Sequence, residues 1–202
     1  MERPEHGSVP EPEGRPVPEP EGRPVSECEG EPVVLREPGP GDEAALLALF
    51  EECEDWFVAA TGLPSAPGDV QSLFYALPEG AAPRDKVLLV VEWAGSVAGV
   101  VDAVRDHPEP GAVAVGMFLL APGARRRGLG RAVADALLAR AEGVTRVTAT
   151  VPPGWEPGER FLERSGFVLE EAGPTPAAGV GNRRAGPREG GVRRAELRRD
   201  PL

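Results

Sequence analysis

Apolar residues are sparse before residue 33 and then arrive in blocks with distinct spacing. Val33-Val34-Leu35 is a short run that reads as a strand ending at Arg36. From Glu43 to Thr61, Leu46, Leu47, Phe50, Cys53, Trp56 and Phe57 recur at helical spacing, which predicts a helix with one buried face. Asp42 stands in the N-cap place, and Gly62-Leu63-Pro64 ends the helix. A shorter helix is predicted from Pro67 to Leu77, with Val70, Leu73, Phe74 and Leu77 inward. Lys86 to Trp93 and Val97 to Arg105 are strands joined through Ala94-Gly95-Ser96, the pattern of a hairpin. Ala112 to Leu120 is another strand, and the helix from Gly130 to Ala141 sets Val133, Ala136, Leu137 and Ala141 on one face. Val144 to Val151 reads as a strand, Glu159 to Ser165 as a short helix and Phe167 to Glu171 as a strand. A Gly/Pro-rich loop from Gly173 to Gly191 precedes a last strand, Val192 to Arg198.

The apolar-poor start has its own order. The octet Val9-Pro10-Glu11-Pro12-Glu13-Gly14-Arg15-Pro16 recurs from Val17 to Pro24 and returns altered as Val25-Ser26-Glu27-Cys28-Glu29-Gly30-Glu31-Pro32. Pro and Glu dominate it, so it lacks the material of a core. Residues 1–31 are expected to be a disordered, polyproline-like tail, and residues 32–202 the folded domain. PxxP-like spacing leaves open a partner-binding role for the tail; a plain spacer is the simpler reading.

Charge narrows the classes. The net charge is −11, with −6 in residues 1–40, −9 in residues 41–179 and +4 in residues 180–202. An acidic main domain argues against general nucleic-acid binding. No apolar run approaches the ~20 residues of a membrane span. Cys28 and Cys53 have neither metal-ligand spacing nor a disulfide framework. No metal is expected, and a reducing cytoplasm is the expected compartment.

Candidate chemistry sits between Ala112 and Ala141, where a strand feeds a basic turn that opens into a helix. Arg125-Arg126-Arg127-Gly128-Leu129-Gly130 fits R/Q-x-x-G-x-G/A. A helix N-terminus offers unpaired N–H groups and the positive end of the dipole. Gly128 and Gly130 admit a phosphate closely, and Arg125, Arg126, Arg127 and Arg131 add charge, so the turn is a candidate diphosphate site. Arg36-Glu37-Pro38-Gly39-Pro40-Gly41 matches the same string. There Pro38 and Pro40 have no N–H to donate, and no long strand runs into the turn. A dinucleotide fingerprint is not completed, because Val133 stands where the third glycine belongs, and no G-K-S/T follows for a P-loop.

Three features together carry a family resemblance: the strand, R-R-R-G-L-G turn and helix; Phe161-Leu162-Glu163-Arg164-Ser165-Gly166-Phe167, close to F-Y-E-x-x-G-F; and the order of elements. Over residues 32–199 the chain resembles the GNAT superfamily of N-acetyltransferases. The resemblance implies an α/β fold with a mixed, mostly antiparallel twisted sheet of six to seven strands flanked by helices. It implies acetyl-CoA as co-substrate, its pantetheine arm along Phe118, Leu119 and Leu120, and its pyrophosphate on the turn formed by Arg125, Arg126, Arg127, Gly128, Leu129, Gly130 and Arg131. The reaction implied is attack of a neutral amine on a thioester, which needs positioning, carbonyl polarisation and proton removal. Backbone N–H near Leu119 is the expected polarising donor. Candidate bases are Glu92 and Asp102 on the hairpin and Asp106, His107 and Glu109 in the following loop. Asp102 leads, because it interrupts an apolar strand. Leu162 stands where the family often has a tyrosine acid, and Trp155 where it often has Asn. The expected function is acetyl transfer to a primary amine of a small molecule or protein, cationic by the acidic surroundings. A non-catalytic acyl-CoA-binding protein is the rival, and a scaffold acting through the tail a third. A homodimer is compatible with each.

Overall fold

The structure, a computed structural model, describes residues 22, 24–152, 154–170 and 193–199. Among them lie strands β1 (Pro24–Cys28), β2 (Glu31–Arg36), β3 (Lys86–Trp93), β4 (Ser96–Arg105), β5 (Ala112–Leu120), β6 (Arg146–Val151), β7 (Val168–Leu169) and β8 (Arg193–Arg198). Helices are α1 (Asp42–Glu52), α2 (Glu54–Thr61), α3 (Pro67–Tyr75), α4 (Leu129–Arg140) and α5 (Glu156–Arg164). The strands form one sheet in the order β1-β2-β3-β4-β5-β6-β8-β7. β5 and β6 run parallel, and the other neighbours run antiparallel.

Both sheet faces are apolar, which is why the central strands read as continuous runs rather than alternating ones. On one face Val90, Val100, Met117 and Leu119 pack against Leu46, Phe50, Cys53, Phe57, Val70 and Leu73 of α1–α3. On the other, Val33, Leu35, Val91 and Val101 pack against Leu129 and Val133 of α4. Burying each such Leu or Phe contributes roughly 1.5–3 kcal/mol. The β3–β4 hairpin turns on Ala94 and Gly95, both at positive φ (52° and 75°), as a two-residue turn that follows the sheet twist requires. Gly99 has to be glycine: a Cβ there would sit 2.5 Å from the Leu119 carbonyl oxygen.

Three expectations are corrected. The helix expected over residues 43–61 is two helices, broken at Cys53, whose N–H is shared between the carbonyls of Leu49 and Phe50. Asp42 is not an N-cap. It lies in the first turn of α1, where its carboxylate accepts from Gly39 N–H (2.6 Å) and from Arg36 Nη1 and Nη2 (2.6 and 2.8 Å). Arg36 opens the decoy motif, and this ion pair is its task. The third correction is the domain start, because β1 lies inside the expected tail and pairs with β2. Among the described residues the sheet therefore has eight strands rather than six or seven.

The altered third octet explains β1. Where the first two copies carry Pro10 and Pro12, or Pro18 and Pro20, the third carries Ser26 and Cys28. Proline has no N–H for a ladder, and these replacements restore it. Cys28 is buried against Val33, Trp93 and α4, with Val25 beside it. The rest of the expected tail, residues 1–21, and the expected loop from Gly173 to Gly191 lie outside the described residues.

Deleting residues 1–31 is therefore expected to lower Tm by about 5 °C or more, given about 2–4 °C per kcal/mol at this size. A chain trimmed only through residue 21 is the control. Equal melting of the two shortened chains would show β1 to be dispensable.

Candidate active site

β5 and β6 pair only from Ala112↔Arg146 to Val115↔Ala149. On the other edge of β5, Asp102 pairs with Met117 and Ala103 with Val115, so Gly116 is a bulge residue with no partner across the ladder. A bulge bends its strand, and here the bend coincides with the end of pairing to β6. Beyond it β5 runs on to Leu120 with one edge free of β6. Ala121 N–H donates to Ala98 O (2.9 Å), and the Leu119 carbonyl also faces β4. Alternation then turns the N–H groups of Phe118 and Leu120 toward the gap and that of Leu119 toward β4. The donors expected near Leu119 are thus those of the residues on either side of it.

A cavity of about 480 Å³ lies beside this gap, between the sheet and helices α4 and α5. Its walls are mainly apolar, including Val101, Phe118, Leu137, Val147 and Leu162. It extends to Trp56 of α2, on the other side of the sheet. Phe118 stacks on Phe161 of α5 at 5.2 Å between ring centroids. Gly130 fits beneath that pair: a Cβ there would meet Phe161 at 3.2 Å and Leu120 at 3.4 Å. Leu162, at the family's tyrosine place, lines the cavity.

The turn after β5 is shaped by backbone. Arg126 has φ +65° and Gly128, the N-cap of α4, has φ +89°. Among the described residues no hydrogen bond is donated by the backbone N–H groups of Arg126, Arg127, Gly128, Leu129, Gly130 or Arg131. Six consecutive free donors at a helix N-terminus form an anion cradle without needing a side chain. The arginines divide their work. Arg125 crosses the open end of the gap, with Nε to Leu120 O (2.8 Å), Nη1 to Asp55 Oδ2 of α2 (2.7 Å) and the guanidinium 5.8 Å from the Trp155 ring centre. Arg127 pairs with Glu29 and lies 4.7 Å over Trp93. Arg131 pairs with Asp135 one turn along (3.2 Å). Arg126 has no ion pair among the described residues.

The expected bases are engaged elsewhere. Asp102 is 0% exposed and lies on the α1–α3 face. Its Oδ1 accepts from Lys86 Nζ (2.9 Å), which also donates to Ala76 O at the end of α3 (2.8 Å). Burial pushes the Asp102 carboxyl up, and the Lys86 ammonium opposes that shift. Its Oδ2 has no hydrogen-bond partner. Glu92 accepts from Arg36 Nε (2.6 Å), completing a triad with Asp42. Neither carboxylate lines the cavity. Asp106 caps its own loop through Gly111 N–H (2.9 Å), and Glu109 pairs with Arg146 (3.0 Å). With His107 between them, both sit at the closed, paired end of β5 and β6. Lys86, the only lysine, is the partner that sequence reasoning missed. It lies on the same strand face as Leu88, opposite Asp102, and that was the available signal.

The family model described as the acetyltransferase (GNAT) family matches residues 48–167. The chain belongs to this family. No curated protein matches it by sequence. Among solved structures it resembles an acetyltransferase from Salmonella typhimurium that modifies the N-terminal serine of a ribosomal subunit protein (TM-score 0.66, 17% identity, covering 88% of this chain and 98% of that one). It also resembles an acetyltransferase from Thermus thermophilus (0.61, 18%, 82% and 96%). A third is an aminoglycoside acetyltransferase in complex with coenzyme A (0.60, 20%, 83% and 95%). At these identities the structural likeness speaks for the fold. Among the described residues no group of three or more His, Cys, Asp or Glu gathers as for a metal ion, and no helix is long and apolar enough to cross a membrane.

Asp102→Asn is expected to lower Tm, since it weakens a buried pair worth about 1–3 kcal/mol, while coenzyme A affinity stays unchanged. Lost acetyl transfer at unchanged Tm would instead restore Asp102 as a base. The Arg36 guanidinium holds the Asp42 carboxyl below the usual carboxylate range. Its folded value lies under the unfolded one, so its stabilisation is present above about pH 4 and is lost as pH falls through the depressed value. Asp42→Asn should flatten the acid limb of a Tm-against-pH curve. An unchanged limb would show that the triad does not carry acid sensitivity.

Proposed function

We propose that this chain transfers the acetyl group of acetyl-CoA to a primary amine. The observation that carries the reading is the row of free N–H groups from Arg126 to Arg131, set at the end of a strand edge released from its neighbour. A diphosphate fits the first and an extended pantetheine arm the second, pairing with β5 as an added strand would. Phe118 and Leu120 N–H face the gap and are the donors that would polarise a thioester carbonyl. Family membership supports the same reaction class.

The acceptor side lies toward α2. Trp56 lines the cavity there, and Glu51, Glu52 and Glu54, close to it in sequence, are exposed, which favours a cationic acceptor. The amine has to attack in its neutral form. Among the described residues, Glu142 is the one acidic residue in the cavity wall, and it follows α4 near the closed end of the gap. The proton is therefore lost to water rather than to a placed carboxylate. The leaving thiolate needs no acid, because a thiol of pKa about 8.5 departs unprotonated.

Leu162 and the ion-paired Asp102 and Glu92 favour a second reading, an acyl-CoA-binding protein without turnover. Thiol release from acetyl-CoA across a panel of amines separates the two. Acetyl transfer is expected, with a rate that climbs with pH toward the acceptor's own pKa. At pH 7 α-amino acceptors (about 7.7–8.0) should outrun lysine-like amines (about 10.4). Coenzyme A binding without any transfer would favour the second reading, and absence of binding would overturn both.

A further inference from the structure

The residue that precedes the cradle's glycine is held at both ends by the N-terminal strand. Cys28, the last residue of β1, donates its Sγ hydrogen to the Arg127 carbonyl oxygen (3.2 Å). The Cys28 carbonyl in turn accepts from Trp93 Nε1 (3.0 Å) in a buried bond. Glu29, in the turn between β1 and β2, accepts from Arg127 Nε (2.8 Å). The Arg127 guanidinium also lies 4.7 Å over Trp93. Backbone and side chain of Arg127 are thus clamped between β1 and β3, with Arg126 and Gly128 at positive φ on either side.

From this geometry we infer that the β1–β2 turn is a latch for the cradle, with Cys28 and Glu29 as positioning residues for diphosphate binding. The inference rests on the acetyl-CoA reading above. A row of N–H groups serves an anion only while all of them converge. Arg126, a non-glycine residue in left-handed backbone, makes that row costly to hold unaided. Fixing the Arg127 carbonyl sets the peptide plane that carries the Gly128 N–H. Fixing its guanidinium keeps a long cation from folding over the donors. Glu29 then acts on the shape of the loop, and Arg127 is not itself a phosphate ligand.

The altered octet makes the latch. The two upstream copies carry Pro12 and Pro20 where Cys28 stands, and proline offers no hydrogen to a carbonyl. The other copies keep Glu13 and Glu21 in the place of Glu29 but lack the thiol that reaches the Arg127 carbonyl.

Calorimetry with coenzyme A and with inorganic pyrophosphate tests the latch on the full chain. Cys28→Ala is expected to weaken coenzyme A binding about threefold to tenfold, the span commonly set by one hydrogen bond. Cys28→Ser keeps a donor and should bind like wild type. Glu29→Gln, at an exposed site that leaves the fold intact, should also weaken binding. In acetyl transfer the KM for acetyl-CoA should rise while kcat holds. A Glu29→Gln protein that binds more tightly would mean that Arg127 was freed to take phosphate, and the latch would be wrong. Equal affinity in wild type, Cys28→Ala and Glu29→Gln would overturn it as well. In those cases wild-type binding still stands, so the acetyl-CoA reading survives. Wild type that binds neither probe would remove that reading and the latch together.

Discussion

The separation of β5 from β6 is the constraint on which the site depends. A parallel pair with both faces buried gains by continuing its ladder, so something has to end it. Gly116 begins the bend, because a bulge residue shifts the strand's hydrogen bonding by one and turns its edge. Phe118 stacked on Phe161 then ties the free part of β5 to α5 beside the gap. Arg125 spans the parted end, tying Leu120 of β5 to Asp55 of α2 and leaning on Trp155 before α5. The gap is held open by packing and one guanidinium rather than left as a defect.

The R-R-R-G-L-G string shows how little a side-chain reading of a basic turn conveys. Its three arginines look alike in sequence and differ in space: Arg125 braces the gap, Arg127 is latched to β1, and Arg126 has no ion pair among the described residues. The groups left facing an anion are backbone donors. Charge at the turn is partly neutralised by Asp55, Glu29 and Asp135, so the cradle's attraction comes chiefly from converging dipoles.

Element order, the hairpin and the helix after the turn were legible because their apolar spacing is strong and their turn residues are unambiguous. β1 was not, because a Pro/Glu-rich repeat reads as tail; the signal lay in Ser26 and Cys28, two departures from proline. The break at Cys53 was hidden because the apolar stripe runs through it without a Gly or Pro. At the site, the turn between β5 and α4 was legible as a place, but not the way its arginines divide among partners. In sequence Asp102 reads as the leading candidate base, because a carboxylate in an apolar strand needs a reason to be there. That reason is Lys86, on the neighbouring strand and the same face, and pairing across strands follows from register that sequence does not print.

A site made this way places unusual demands on sequence. The donors proposed for the diphosphate and for the thioester carbonyl are all main-chain, so most substitutions would leave them unchanged. Sequence is restricted where the backbone itself is unusual: Gly128 must reach φ +89°, and Gly130 must pass under Phe161. That fits a fold shared with solved acetyltransferases at 17–20% identity. Side-chain chemistry has no such protection. The tyrosine place can become Leu162, and hairpin carboxylates can be drawn into ion pairs with Lys86 and Arg36, without disturbing the cradle. Cofactor binding and turnover are therefore separable in this architecture. What joins them is proximity, which on its own can supply roughly 7–11 kcal/mol of a barrier once both reactants are held in line. Under the proposed function, that alignment would rest on the gap beyond Gly116 and on the brace that Arg125 lays across it.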